Sequence, residues 1–373
     1  MFKKEDILVI TPTFSGGGAE HIAINIANYY SLAGHKVSIL CFSNNGPYLK
    51  QVSNSIKVIN LEAENWSDQI KKLSHFLKKS KKLKVVSTVR SANIVYGLAT
   101  IMLGRKLKHK AIFLEVNTFD SIRNKSFLKR KIWSLVMLLS YFKADVIGCS
   151  SADVMSELLR VVPILKHKAV VVGNPVVPEN FNKLRKEEVI NDHPWLGCND
   201  LKIFLHVGRL HFQKNQEFLI RGFSKHLKTH KNSRLIIIGE GEDQIDLLNL
   251  RSELNLHDYV HFMSFQENLY PIMSKSDVFV MTSRWEGFGN VFIMAMACGI
   301  PILTSDCAGG PKELISSDTM GRLYKNGDIS DFVSQSKVVH AYQKDFKSMK
   351  YRHNFALKYT VSNIANKYLD LLS

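Results

Sequence analysis

Residues 277–301 constrain this chain more than any other stretch. Asp277 to Thr282 (DVFVMT) is a short β-branched and apolar run, the pattern of a parallel strand covered on both faces. It leads into Ser283–Arg284–Trp285–Glu286–Gly287–Phe288–Gly289–Asn290, then into an apolar segment, Val291 to Ala297, that Gly299 and Pro301 stop. A strand, a glycine turn and a buried helix in that order predict a doubly wound α/β sheet. Gly287 and Gly289 allow a sharp turn and a close approach to a ligand, and Asn290 or Gly289 caps the helix. A helix start at the carboxyl end of a parallel strand presents N–H groups and partial positive charge, which suit a phosphate. Glu286, the one negative group there, is expected to reach past the phosphate toward hydroxyls. The same stretch also serves as a packing unit without a ligand.

The strand–helix rhythm recurs throughout. Lys202 to Val207 reads as a strand ending in Gly208–Arg209–Leu210, with Lys214 soon after and a helix to about Lys228. Arg209 at a strand's carboxyl end and Lys214 on the next turn either converge on one anion at a sheet switch point or are two solvated basic residues. Arginine grips such an anion bidentately while lysine acts as a point charge. In the first half, strand 5–10 meets the loop Thr11 to Glu20 with Gly16, Gly17 and Gly18, then a helix to about Ala33. This loop is neither a dinucleotide fingerprint nor a P-loop, since His21 stands where glycine is needed and no Gly-Lys-Ser/Thr follows. It either approaches a phosphate or is a plain glycine turn. Strand Lys110 to Glu115 ends in Glu115–Val116–Asn117–Thr118.

Glu286–Gly287–Phe288–Gly289, the buried helix, Ala297–Cys298–Gly299–Ile300–Pro301–Ile302–Leu303 and Gly309–Gly310–Pro311–Lys312–Glu313–Leu314 together resemble the donor-binding core of glycosyltransferase family 4, bacterial surface-polysaccharide type. The resemblance implies an α/β, GT-B architecture: two Rossmann-like βαβ domains facing across a cleft. It implies a retaining, nucleotide-sugar-dependent enzyme in which Arg209 and Lys214 hold the donor diphosphate. Glu286 joins them as a catalytic candidate, with Gly17, Gly18, Gly208, Gly287, Phe288, Gly289, Asn290 and Met294 on the donor side. Relatives carry a second Glu where this chain has Met294, whose thioether is a poor substitute for a ribose hydrogen-bond acceptor. They often carry His or Arg near Val116, so only Glu115 and Asn117 remain as acceptor-side candidates; a satisfied strand-end polar pair fits those two equally.

At 373 residues the chain exceeds one comfortable core. The expected division is 1–178, a linker at 179–200 (Pro, Asn and charge), 201–353, and a last helix from about 354 that the resemblance sends back to the first domain. Five cysteines form no C-x-x-C pair, which fits reduced thiols. MFKKEDILVITPTF has no signal-peptide h-region, and the longest apolar run, Ile132 to Phe142, is too short to span a membrane.

Net charge is +17, and residues 71–131 hold 17 basic against 2 acidic side chains. Such a segment calls for an anionic partner: a membrane face, a nucleic acid or a phosphorylated acceptor. The aromatic-plus-basic interleaving of nucleic-acid modules is missing, so no nucleic acid is expected. Lys125 to Lys131 leads into IWSLVMLLSYF, which reads either as a core helix with a solvated first turn or as an interfacial helix meeting anionic lipid. No Asp-x-Asp occurs, so no metal and no cofactor is expected. The resulting expectation is a cytoplasmic, peripheral-membrane retaining hexosyltransferase. It would move a hexose or N-acetylhexosamine, from UDP by preference, to a lipid-linked oligosaccharide or lipopolysaccharide acceptor, as in capsule or O-antigen synthesis. A nucleotide-sugar-binding pseudoenzyme and a GT-B sugar-nucleotide epimerase are the alternatives.

Overall fold

The computed structural model describes residues 4–15, 17–104, 109–119, 126–189, 193–342 and 344–373. Gly16 and Lys125, both part of the reading above, lie outside them, as do residues 190–192 of the expected linker. The chain forms two compact units, residues 1–178 with 360–373, and residues 179–359.

The first unit is built on seven parallel strands: β1 (Asp6–Thr11), β2 (Lys36–Cys41), β3 (Lys57–Asn60), β4 (Lys84–Ser87), β5 (Lys110–Glu115), β6 (Val146–Cys149) and β7 (Ala169–Val171), ordered β3-β2-β1-β4-β5-β6-β7. Helices α1 (Gly18–Leu32), α2 (Trp66–Lys79), α3 (Arg90–Leu103), α4 (Phe127–Tyr141) and α5 (Ala152–Val161) connect them. Leu8, Ile10, Val85, Phe113 and Ile147 from the strands pack with Leu73, Val95, Tyr96, Met137 and Leu158 from the helices in one core. Gly97 on α3 sits so close to the backbone of Ser140 on α4 that a Cβ there would collide with it.

The second unit opens with α6 (Phe181–Leu184). Six parallel strands follow: β8 (Lys202–Val207), β9 (Ser233–Ile238), β10 (Val260–Met263), β11 (Val278–Met281), β12 (Ile302–Ser305) and β13 (Gly321–Tyr324), ordered β10-β9-β8-β11-β12-β13. Between and after them run α7 (Gln216–His226), α8 (Gln244–Glu253), α9 (Tyr270–Lys275), α10 (Asn290–Ala297), α11 (Pro311–Leu314), α12 (Ile329–His340) and α13 (Phe346–Ala356). The strand order reverses between β8 and β11, which pair through Val278–Phe204 and Phe279–Leu205. Their carboxyl ends therefore open at a topological switch point, where open α/β sheets bind ligands.

Two boundaries differ from the sequence expectation. Residues 179–189 are not a free linker: Phe181 is buried with its ring 5.0 Å from Tyr270 and 5.7 Å from His353, and Asn268 Nδ2 donates to the Leu184 carbonyl at 2.8 Å. Apolar burial ties this polar stretch to the second unit. The chain returns to the first unit at Thr360, not 354, because α13 packs on α10, with Arg352 Nε donating to the Gly299 carbonyl. Only α14 (Val361–Asp370) joins the first unit. There the Tyr30 hydroxyl donates to the Ala365 carbonyl at 2.7 Å and the Tyr368 hydroxyl to that of Gly173 at 2.9 Å.

Candidate functional site

The Glu286 turn follows β11 and is held on two sides. From β12 comes the Ala308–Gly310 loop: Glu286 N–H donates to the Ala308 carbonyl at 3.0 Å and Gly310 N–H to that of Gly287 at 2.8 Å. Cβ atoms at Gly309 (φ +111°) and Gly310 would collide with the carbonyl oxygens of Glu286 and Phe288, so both positions require glycine. Phe288 is buried and anchors the turn from below. Gly289, at φ +86°, is the N-cap of α10 and has no side chain to cover the first amides; of the two cap candidates it is the one used.

On the other side lies the loop after β8. The Thr282 hydroxyl reaches the carbonyls of Lys214 and Asn215 at 3.0 and 3.1 Å, Arg284 N–H donates to the Gln213 carbonyl at 2.8 Å, and Gln213 Nε2 donates to the Trp285 carbonyl at 2.9 Å. Asn215 takes a left-handed conformation (φ 55°) at the start of α7, with its Oδ1 accepting from Arg284 Nη2 at 3.0 Å. These bonds fix the root of Lys214 against the β11 turn. Its stem lies over Gly208, and its Nζ stands 2.5 Å from Glu286 Oε1. The Ser283 hydroxyl donates to the same oxygen at 2.5 Å. The pair is largely withdrawn from water, with side-chain exposures of 18% for Lys214 and 8% for Glu286.

Arg209 is exposed at the end of β8, and its guanidinium has no partner among the described residues. Its main chain is well held. Gln216 Nε2 donates to the Arg209 carbonyl at 2.9 Å and lies 3.2 Å from His206 Nε2, while His206 Nδ1 lies 3.0 Å from the Val280 carbonyl. Burial pushes the His206 pKa down to about 4, so the ring is neutral, with Nδ1–H donating to Val280 and Nε2 accepting from Gln216. Burial pushes the neighbouring Cys307 thiol up to about 12, which rules out a thiolate at neutral pH. On α10, Asn290, Val291 and Met294 are half-buried while the rest of the helix is buried, so Asn290 and Met294 lie one turn apart on its less covered face. The second unit thus brings Gly208, Arg209, Lys214, Glu286, Gly287, Phe288, Gly289, Asn290 and Met294 to the β8/β11 switch point. An ammonium, a guanidinium and a helix start together suit a diphosphate.

The candidates of the first unit fare differently. Gly17 is the N-cap of α1 and Gly18 its first residue, but the Glu20 carboxylate folds over Gly17. An acid thus stands where a phosphate was expected. Of the two readings of Glu115, its surroundings match the satisfied strand-end polar group. It is buried, with Oε2 accepting from Arg90 Nη2 at 2.7 Å and Nε at 3.1 Å, and Oε1 taking the Tyr141 hydroxyl and Asn93 Nδ2. Arg90 also donates to the Asn117 carbonyl at 3.0 Å and lies 3.6 Å from the centre of the Phe119 ring. Both carboxylate oxygens are therefore committed to holding the end of β5. Asn117 is exposed there.

Sequence reading missed Thr282, Ser283, Gln213 and Asn215. Of these only Asn215 carried a usable signal, since an Asn directly before a helix suits left-handed backbone.

Residues 191–352 match the family model described as glycosyl transferases group 1. An uncharacterized glycosyltransferase of Methanocaldococcus jannaschii is 31% identical over 191 residues, 50% of this chain and 47% of that protein. The N-acetylgalactosamine-N,N'-diacetylbacillosaminyl-diphospho-undecaprenol 4-alpha-N-acetylgalactosaminyltransferase of Campylobacter jejuni is 31% identical over 229 residues, 61% of this chain and 57% of that protein. The chain therefore spans about half the length of these curated relatives. Among solved structures, Anabaena HepE in complex with UDP superposes with a TM-score of 0.76 over 98% of this chain and 99% of that one; at 19% identity the likeness is one of fold.

Proposed function

We propose that this chain, which has the GT-B fold and matches the group 1 glycosyl transferases through residues 191–352, moves a hexose or N-acetylhexosamine from UDP to a lipid-linked oligosaccharide or lipopolysaccharide acceptor with retention of configuration. The observation that carries this reading is the Lys214–Glu286 pair at the β8/β11 switch point, with Arg209 and the start of α10 beside it. Lys214 keeps two further N–H donors for the leaving diphosphate while Glu286 holds its ammonium in place. Arg209, with no partner among the described residues, is available to grip the same diphosphate from the β8 side. Preorganised donors of this kind stabilise charge as it develops on the leaving group, each worth about 3 kcal/mol. No metal and no cofactor enters the reading, because two cations and a helix dipole can carry that charge. The unused oxygen of Glu286 is the group for a sugar hydroxyl. A lipid-linked acceptor sets the reaction at the inner face of the cytoplasmic membrane.

A thermal-shift screen of UDP-, GDP- and ADP-sugars in the presence of EDTA tests the donor site. A ligand at 100 times its Kd stabilises by about 2.7 kcal/mol, so UDP-sugars should raise the melting temperature by several degrees. Loss of the shift in EDTA would refute metal independence, and no shift with any nucleotide would refute the donor site. UDP release on adding a polyprenyl-diphosphate sugar, with the product anomer read by NMR, tests the transfer. Met294 favours one rival, a binding-only protein, since its thioether offers no strong acceptor. That rival binds nucleotide and releases no UDP.

A further inference from the structure

Helix α4 was open to two readings, core or interface, and the structure separates its two faces. Met137, Ser140 and Tyr141 are buried against α3 and the first sheet. On the other side Leu128 (68% exposed), Ile132 (54%), Leu135 (56%) and Leu139 (48%) follow one another at spacings of four and three, and Phe142 (44%), just past the helix, continues the line. Spacings of three and four put all five on one face. Scattered apolar side chains are normal on a surface, but a continuous five-residue stripe along a helix is not.

Charge completes the pattern. No acidic residue occurs from Ser126 through Ala144, and Lys129, Arg130, Lys131 and Lys143 are all exposed at the two ends of the stripe. Trp66 at the start of α2, also exposed, lies 6.2 Å from the Trp133 ring of α4 and widens the patch near the basic turn. Lys78 to Lys82, Lys84 and Lys110 do not form one cluster with Lys129–Lys131. Lys84 and Lys110 start the adjacent strands β4 and β5, and Lys78 to Lys82 close α2 just before β4, so this group stands at the amino edge of the sheet. Lys129–Lys131 open a helix that begins after the carboxyl end of β5, and so stand at the opposite edge.

We propose that α4 is a membrane-docking helix. It lies flat on an anionic phospholipid bilayer, with Leu128, Ile132, Leu135, Leu139 and Phe142 entering the headgroup–acyl boundary and the basic groups at its two ends meeting lipid phosphates. The charge complementarity selects lipid over an uncharged apolar partner, since an acid-free helix with basic ends suits a surface that is both negative and oily. The proposal rests on and deepens the reading of the acceptor as lipid-linked, because a docked first unit confines the search for that acceptor to two dimensions.

Flotation of the purified full chain with vesicles of phosphatidylglycerol and phosphatidylcholine (3:7), and with pure phosphatidylcholine, tests it at 0.1 and 0.5 M NaCl. Wild type should float with the anionic vesicles, and a fraction should survive 0.5 M NaCl, because salt screens the lysines but not the inserted side chains. L135S/L139S should lower the partition coefficient at least tenfold at both salt concentrations, with the melting temperature and the nucleotide-induced shift unchanged. K129Q/R130Q/K131Q should abolish the preference for the anionic vesicles. Lack of flotation by wild type, or undiminished flotation by L135S/L139S, overturns the proposal. So does light scattering that shows a wild-type dimer which L135S/L139S dissociates, since the stripe would then cover a second copy. Nucleotide-induced stabilisation without flotation would sink the docking helix alone, and flotation without stabilisation would sink the donor site alone.

Discussion

Replacing Lys214 by methionine keeps most of the stem that covers Gly208 and removes only the charge. Glu286 would then be left with a carboxylate 8% exposed and the Ser283 hydroxyl as its one remaining side-chain donor among the described residues. Breaking a buried ion pair from one side costs about 3–5 kcal/mol. The low end applies, because Lys214 retains 18% exposure and water can reach the vacated position. A loss of about 3 kcal/mol in a unit of this size lowers its melting temperature by about 6–12 °C. Glu286→Gln removes the stranded charge instead, so the double variant K214M/E286Q should recover at least half of that loss, a coupling of more than about 1.5 kcal/mol. Nucleotide binding should behave oppositely. K214M loses a phosphate donor, and adding E286Q cannot restore it. Differential scanning calorimetry of the four proteins, with and without UDP, reads both quantities. If K214M melts with wild type, or if the double variant falls by the sum of the two single losses, the pair is not the coupled unit described.

Arg209→Ala should cost about 100-fold in turnover, the effect of losing one phosphate donor, while its side chain, exposed and without a partner among the described residues, leaves the melting temperature unchanged; wild-type kcat would remove Arg209 from the phosphate clamp. Met294→Glu should tighten UDP binding by about 1.5–3 kcal/mol if the ribose passes the less covered face of α10, and isothermal titration showing no change would put the ribose elsewhere. Gly309→Ala forces a side chain into the Glu286 carbonyl at φ +111°, so at least about 3 kcal/mol of stability and the nucleotide-induced shift should be lost together; a soluble variant with an intact shift would contradict the packing. Acid should destabilise the second unit. Buried His206 and His226 have pKa values pushed down to about 4 and about 3, His226 by burial and by the nearby rings of His230 and His340. Their stability contribution is whole above the unfolded pKa of 6.5 and is lost as pH falls through 6.5 toward those values. Between pH 7 and 5 each should lose about 2 kcal/mol, and equal melting temperatures at the two pH values would refute it.

Much of the second unit was legible from residue order. DVFVMT, the turn glycines and the apolar run after them are local patterns, and each became the strand, turn or helix its periodicity demanded. The strand ending at Arg209 and the loop carrying Lys214 were legible in the same way. Which of its two readings Glu115 takes was not legible, because its partner Arg90 lies 25 positions away and its partner Tyr141 26 positions away. No periodicity within β5 reports which residues its neighbours aim at its end. The two faces of α4 were likewise hidden, since a helix apolar on nearly every side carries no mark of which side the protein covers.

Sequence alone, then, determined the alternation of strands and helices, the glycine positions that permit the Glu286 turn, and the cations available near it. Tertiary structure decided which of these meet. Lys214 reaches Glu286 across 72 residues because β8 and β11 are neighbours at the point where strand order reverses, and Thr282 can then hold the Lys214 carbonyl. Hydrophobic periodicity is written in neighbouring residues, whereas the pairing of buried charges depends on which distant segments the folded core presses together.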